Sequence, residues 1–301
     1  MGVLAIIAAL LLEQWRPIGD RKAWSAALAN AANWLEASFN AGEPRHGTIA
    51  WLVAVLPAAL AAVALHYLLS WLHPLLALAF NVGVLYLTLG FRQFSHFFTG
   101  IQAALRDGHV DRARELIGTW RAEPAAHRSR EEVIRLSLEE ALIASHRHVF
   151  GVVFWYMLLP GPSGAILYRL AVFLDRRWSG LGAFGHAASR LRGLLDWPAV
   201  RLTAAAFAVV GDFEDAVYCW RTQARAWPDA QMGIVLAAGA GAMGVRLGMP
   251  LGEIDGPLAR PDLGVGDAAD QPHFDGTVGL LWRSLVLWVF VLIVLSAMRM
   301  L

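Results

Sequence analysis

The densest run of chemically capable side chains is Ser145-His146-Arg147-His148. Two histidines two residues apart on a helix project about 200° from one another. His146 and His148 therefore do not chelate one ion together. His96, in Phe91-Arg92-Gln93-Phe94-Ser95-His96-Phe97-Phe98, closes an apolar hairpin, and His146 and His148 open the next apolar segment. All three are expected at similar depth near one membrane face. There they suit a polar cluster that takes an anion or a polar head group. The plainer reading is interfacial anchoring by amphipathic aromatic and cationic side chains.

Three other patterns have a chemical spelling and a structural alternative. Asp212, Glu214 and Asp215 lie near Trp220 and Arg221. Clustered carboxylates can hold Mg²⁺ or exchange protons, yet acids also favour the first turn of a helix. Gly239-x-Gly241-x-x-Gly244 spells a dinucleotide fingerprint, but that motif needs a preceding strand. Here the surrounding sequence is Ala/Gly-rich and reads as helix. Gly233, Ala237 and Gly241 at four-residue spacing favour close helix packing in a membrane. Cys219 is the sole cysteine, which excludes an internal disulfide and reads as a buried, inert thiol. No GxxxxGK[ST] loop and no serine or cysteine nucleophile arrangement occurs, so no catalytic residue is assigned.

The elements that must position these residues are mostly apolar. Of 301 residues 57% are hydrophobic, against about 45–50% in a soluble domain, and the mean hydropathy is +0.49. Ile49–Leu69 has the roughly 20 residues a helix needs to cross hydrocarbon. Leu75–Leu89 follows a turn at His73-Pro74, and Ser284–Met298 is a third run, with Arg283 placed to snorkel from its start. Gly2–Leu12 is expected to be an uncleaved helix that dips into or crosses the bilayer with help from Trp15 and Arg16. Trp24, Leu28, Ala31, Leu35 and Phe39 recur at helical spacing within the polar segment 13–47. The net charge of +1, with Lys22 the only lysine, forms no basic stripe and gives no reason to expect nucleic acid.

Residues 92–147 carry nine Arg and eight Asp or Glu, so they are charge-rich yet nearly neutral, as expected of soluble helices. Pro124 divides them, and Ser129-Arg130-Glu131-Glu132 spells a capped helix start. Val149–Leu159 and Ala165–Leu174 flank Pro160-Gly161-Pro162-Ser163-Gly164 and are expected to enter the membrane and return. Arginine in the loops 13–47, 92–147 and 175–198 puts all three on the cytoplasmic side. Ala199–Val210 and Met232–Leu247 are weaker apolar segments, and Met249–Asp275 reads as a Pro- and Gly-rich loop.

Four stretches carry a family resemblance over nearly the whole chain. They are Leu105–Arg114, Gly161–Asp175 with Tyr168-Arg169 and Leu174-Asp175, Arg190–Leu202, and Ala240-Gly241-Ala242-Met243-Gly244-Val245-Arg246-Leu247-Gly248. They resemble the CobD/CbiB superfamily, membrane proteins of cobalamin biosynthesis, and their relative AmpE, a membrane modulator of β-lactamase induction. The resemblance implies condensation of adenosylcobyric acid with an aminopropanol unit, using ATP and Mg²⁺, to give adenosylcobinamide or its phosphate. The family's Glu-Asn-x-x-Asp-Gly is Ser145–Gly151 here, with no acid in it. Its Asn before Leu-Asp is Val172, its Asp-Asp pair is Arg192-Gly193, and its Pro-Asn is Pro228-Asp229. These departures suggest that the scaffold is kept while metal-binding chemistry is reduced.

The expected fold is an all-α polytopic integral membrane protein of a bacterial inner (plasma) membrane. It is read as a single domain over 1–301 with an inserted cytoplasmic helical region at 92–147. Two functions are carried forward: corrinoid amide ligation of the adenosylcobinamide-phosphate synthase type, and a non-enzymatic, AmpE-like membrane sensor or modulator. A ligand site is expected from His96, His146, Arg147, His148, Tyr168, Arg169, Asp175 and Arg201, since ionisable groups in or near a membrane are functional candidates by default. Its donors suit an anionic or amide-rich ligand better than a bare metal ion. Expected partners are membrane lipid and a corrinoid substrate, and a homo-oligomer stays open. No metal ligand is assigned; ATP and Mg²⁺ apply if the ligase activity is retained.

Overall fold

The protein is described from a computed structural model, over residues 2–15, 22–252 and 260–298. The expectations for Arg16 and for the side chain of Trp24 lie outside what is described. The described residues are all-α apart from one small sheet. The chain divides into two compact units, Met1–Gly90 with Arg147–Ala199, and Phe91–His146 with Val200–Leu301.

The first unit begins with α1 (Gly2–Trp15) and α2 (Lys22–Phe39), followed by α3 (Pro44–Leu72) and α4 (Pro74–Thr88). Pro44 starts α3 without sacrificing a hydrogen bond. His73 ends it in extended backbone because Pro74 follows, and His73 Nδ1 then accepts from Leu75 N, 3.2 Å. A helix of 29 residues is about 43 Å long, enough to cross. The 15 residues of α4 give only about 22 Å, short of the roughly 30 Å hydrocarbon core. The unit is completed by α8 (Gly151–Leu158), α9 (Ser163–Trp178) and the first part of α10 (Gly182–Val210). As expected, α8 and α9 fold back on each other around Pro160-Gly161-Pro162. A core of Trp51, Val55, Leu174, Trp178 and Phe184 joins α3, α9 and α10.

The second unit holds α5 (Phe91–Arg106), α6 (Val110–Arg121) and α7 (Arg130–Ser145). Its later elements are the rest of α10, α11 (Phe213–Thr222), α12 (Ala230–Met243) and α13 (Pro272–Met298). Ser129 and Glu132 form the expected capping box at the start of α7. Small residues let α12 sit almost without clearance in this unit. A Cβ on Gly241 would lie 2.7 Å from the Asp215 carbonyl carbon, and one on Gly239 would lie 2.8 Å from Leu142 Cδ1. The glycine run is thus a packing surface, and the strand it touches comes after it rather than before.

Several boundaries differ from the sequence expectation. The run read as one segment to Leu247 breaks at Gly244, a left-handed cap with φ of 63°. Val245–Gly248 is then strand β1, pairing antiparallel with β2 (Asp262–Leu263) and parallel with β3 (Asp267–Ala268). The expected loop 249–275 therefore contains two strands and the start of α13, and Arg283 sits in mid-helix, its Nε donating to Gly279 O. The expected loop 175–198 is mostly the N-terminal half of α10, so Arg190 and Arg192 are helical. No helix end separates 147 from 149. Instead α7, a π-helical turn His146–Phe150 and α8 run on without interruption. Among the described residues, α3, α10 and α13 are long and apolar enough to cross a membrane. The protein is an all-α membrane protein.

Candidate functional site

Two glycines shape the site in the first unit. The π turn at His146–Phe150 widens the helix where Arg147 and His148 leave it; such turns recur at functional sites. Gly90 lies against His148: a Cβ there would be 2.7 Å from Nδ1, and Gly90 N donates to His148 O at 3.3 Å. Gly151 lies against the Tyr168 ring, leaving no room for a side chain. Arg169, next on α9, places Nη1 at 3.0 Å from His148 Nδ1 and 3.5 Å from Arg147 O. A guanidinium only donates, so Nδ1 accepts in that bond and a neutral His148 ring carries its proton on Nε2. Arg169 is thus held by the His148 ring and the Arg147 carbonyl, and its guanidinium is the cation of this group.

Tyr168 and Asp175 belong to a second group that joins α9 to α10. Tyr168 Oη donates to Asp196 Oδ1 at 2.7 Å. Arg192 pairs through Nη1 with Asp196 and through Nε with Asp175 Oδ2, the latter at 2.6 Å. Ser189 donates to Asp175 Oδ1 at 2.6 Å. Tyr168, Asp175, Arg192 and Asp196 are all buried. Every carboxylate oxygen has a donor, as a buried charge requires.

The remaining expected residues belong to the second unit. His146 is fully buried, with Nδ1 at 3.0 Å from Thr203 Oγ1 on α10. Arg201 is half-buried on the same helix, and His96 is exposed on α5. Asp212 caps α11, accepting from Asp215 N at 3.0 Å, so the acids 212–215 are a helix start. Burial, with Asp215 adding to it, pushes the Cys219 thiol up, which keeps it in the unreactive protonated form.

Arg192, Asp196 and Ser189 were missed as site residues. Their signal was present: Arg192 and Asp196 are four apart, on one helix face, within a helix otherwise apolar enough to span. Glu139 was missed too. It is buried, accepts from Gly248 N at 2.9 Å and pairs with Arg260, which sits 5.1 Å over the Trp227 ring. Arg260 is 121 residues further along the chain, a separation no local pattern reveals.

Residues 6–281 match the profile of the CobD/Cbib protein family. The chain belongs to that family. A protein of Stutzerimonas stutzeri named cobalamin biosynthesis protein CobD is 35% identical over 301 residues, covering 96% of each chain. One of the same name from Chromobacterium violaceum is 35% identical over 246 residues, 80% of this chain and 77% of that one. A third, from Leptospira interrogans, is 23% identical over 205 residues, 60% of this chain and 64% of its own. No solved structure gives a significant match. The link to AmpE rests on the sequence resemblance alone.

The Mg²⁺ implied by the resemblance does not fit the buried acids of this CobD/Cbib chain. Mg²⁺ wants carboxylate oxygens and waters in an octahedron at about 2.0–2.1 Å. Here a guanidinium stands between the two carboxylates. Among the described residues no three His, Cys, Asp or Glu side chains gather where a metal ion could be held.

Proposed function

We propose that the chain works in cobalamin biosynthesis at the bacterial inner membrane, as a multi-pass protein that binds a corrinoid carboxylic acid and serves its conversion to an amide. The Arg147–His148–Arg169 group carries this reading. Charge-assisted bonds from a guanidinium are about twice as strong as neutral ones and suit carboxylate or phosphate oxygens. Similarity to proteins named for cobalamin biosynthesis, over 96% of this chain in one and 80% in another, supports a place in that pathway. In the finer reading the reaction is amide ligation of the adenosylcobinamide-phosphate synthase type. Arg169 would then bind and orient the carboxylate, itself held by His148 Nδ1 and the Arg147 carbonyl. No step is assigned to a metal ion.

Titration of purified protein in micelles with adenosylcobyric acid tests this. Quenching of tryptophan fluorescence is expected for the wild type and should weaken at least tenfold in Arg169→Ala. Equal affinity of both proteins would remove the assignment. Vesicles rich in anionic lipid, titrated in parallel, separate corrinoid recognition from phosphate head-group binding.

A second reading is a non-enzymatic membrane sensor or modulator. The observation favouring it is that Arg192 already neutralises the buried acids Asp175 and Asp196. Binding without turnover in the same preparation would select it.

A further inference from the structure

The second unit holds a pair of arginines whose donors the fold does not satisfy. Arg135 and Glu139 are four residues apart on α7 and share one face. Glu139 is buried and both its oxygens are served: Gly248 N donates to Oε1 at 2.9 Å, and Arg260 pairs with Oε2. Arg135 is served poorly. Its Nη2 donates to Pro250 O at 3.2 Å, but its Nη1 meets only the Met249 sulfur, at 3.5 Å, and a thioether is a weak acceptor. Among the described residues Arg135 makes no ion pair. Glu132 and Asp262 act on it, yet Glu132 is taken up by the N–H groups of Gly252 and Ser129, and Asp262 is exposed. Arg135 Nε and Arg260 Nη1 are both buried with no hydrogen-bond partner among the described residues, although buried polar groups nearly always have one. Burial pulls the Arg135 guanidinium down, Glu139 opposes this, and Arg260 adds to it. The two cations are therefore close enough to act on each other.

We propose that Arg135 and Arg260 form a binding site for a phosphate-type oxyanion, closed in this structure by the Met249 side chain. The charge balance points to the class. Two guanidiniums share one buried carboxylate, so one positive charge is left over where two N–H groups are unmet. A ligand with several acceptor oxygens satisfies both groups at once, and guanidinium donors are matched to phosphate. The Arg260 guanidinium is already held 5.1 Å over the Trp227 ring, so it loses little freedom on binding. Room comes from Met249. It is half-buried beside exposed Pro250, and its unbranched side chain is adaptable. It also holds a φ of 64°, a costly conformation for a residue with a Cβ and one that clusters at ligand clamps and switch regions. Turning the thioether outward exchanges a weak acceptor at Nη1 for a charged one. The site shares no residue with the Arg169 group, and the proposal does not rest on the corrinoid reading.

The test uses the full chain in micelles, titrated calorimetrically with inorganic phosphate at constant ionic strength, with acetate and chloride in parallel. Wild type should bind phosphate saturably, and its unfolding midpoint should rise with phosphate concentration. Acetate should bind more weakly, and chloride should not bind. Arg135→Gln should weaken phosphate binding about tenfold or more, as the loss of a charge-assisted contact implies. Because Arg135 makes no ion pair among the described residues, this variant leaves no acid unpaired and should fold as wild type does. Met249→Ala removes the cover and should bind phosphate more tightly than wild type. Arg169→Ala should bind phosphate at this site unchanged, which separates it from the proposed corrinoid site.

Three results overturn the proposal. One is a wild type that neither takes up phosphate nor gains stability from it. Another is phosphate binding that Arg135→Gln keeps at full strength, which would place the anion elsewhere. The third is acetate bound as tightly as phosphate, which would remove the assignment of class. Arg260→Gln should lose binding too, but it also deprives Glu139 of its partner. If it does not survive purification, Arg135→Lys against Arg135→Gln decides. Lysine keeps the charge and should retain part of the affinity; equal binding by those two would show that a cation at this position does not hold the ligand.

Discussion

The tie between α9 and α10 gives the sharpest energetic prediction, because Arg192 makes two ion pairs of different kinds. Its partner Asp196 is four residues away on the same helix, and its partner Asp175 is on another helix. When membrane helices separate without unwinding, a pair within one helix survives and a pair between helices does not. Stability against helix separation should therefore depend on Asp175 more than its exposure of 9% suggests. A hydrogen bond to a charged group contributes about 1.5–3 kcal/mol, while polar contacts between membrane helices average about 0.6 kcal/mol and reach about 1.7. The Arg192–Asp175 pair is charged on both sides and buried, so its coupling is set at about 2 kcal/mol. The Arg192–Asp196 coupling should stay below about 0.5 kcal/mol, the value of an ordinary pair within one helix. Double-mutant cycles on Asp175→Asn, Asp196→Asn and Arg192→Met, read by unfolding in mixed micelles, measure both. A larger coupling for Asp196 than for Asp175 would show that the pair between helices is not what ties α9 to α10.

Other parts of the fold give independent expectations. Gly241→Ala places a Cβ against the backbone of Asp215 and Ala216, which cannot give way as a side chain can, so a loss of about 1–3 kcal/mol is expected in the same unfolding assay. Glu132 gives a pH dependence. Partial burial pushes its carboxyl up, but the N–H groups of Gly252 and Ser129, with Arg128 and Arg135, outweigh this and hold it below 4.5. A depressed folded value stabilises the protein above the unfolded pKa, and that stabilisation disappears as pH falls through the folded value. Unfolding midpoints should therefore decline as pH drops below 4.5, and Glu132→Gln should flatten that part of the profile. For topology, cysteines at the exposed positions Asp107 and Ala126 should resist an impermeant thiol reagent in intact cells. Ready labelling of both would place residues 92–147 outside.

Much of the fold was legible because it is written in local pattern. The His73-Pro74 turn, the Ser129–Glu132 capping box and the Pro160-Gly161-Pro162 reversal depend on neighbouring residues, and each stands as read. The small-residue face of α12 was legible for the same reason, since glycine spacing on a helix is a packing instruction. Misreadings arose where composition was averaged over a stretch. Arg190 and Arg192 made 175–198 look like a cytoplasmic loop, because a cation in a sequence looks solvated until its partners are known. Two acids from two helices neutralise Arg192, so it is no marker of a loop. Apolar Val245 and Leu247 extended the apparent helix past Gly244, whose left-handed conformation ends it.

The site was legible in part. Arg169 meets the His148 ring and the Arg147 carbonyl, and Tyr168 and Asp175 join a network with Arg192, Asp196 and Ser189. The π turn could not be read, because a five-residue widening leaves no distinct sequence pattern. His146 points to Thr203 and His148 to Arg169, in line with the angular argument against joint chelation. Asp196 supplies a buried carboxylate four residues after Arg192, which with Gly193 stands where the resemblance has two acids.

Corrinoid amide formation through Arg169, as proposed, makes Arg169 essential to the product and dispensable for membrane insertion. The most direct measurement is expression of wild type and Arg169→Ala in a strain lacking its corrinoid amide synthase. Membrane levels are checked by immunoblot and corrinoid products by mass spectrometry. Wild type should restore the amidated corrinoid, and Arg169→Ala should not, at equal membrane abundance. Accumulation of the carboxylic acid precursor with wild type present, or restoration by both proteins alike, would rule out this role for Arg169.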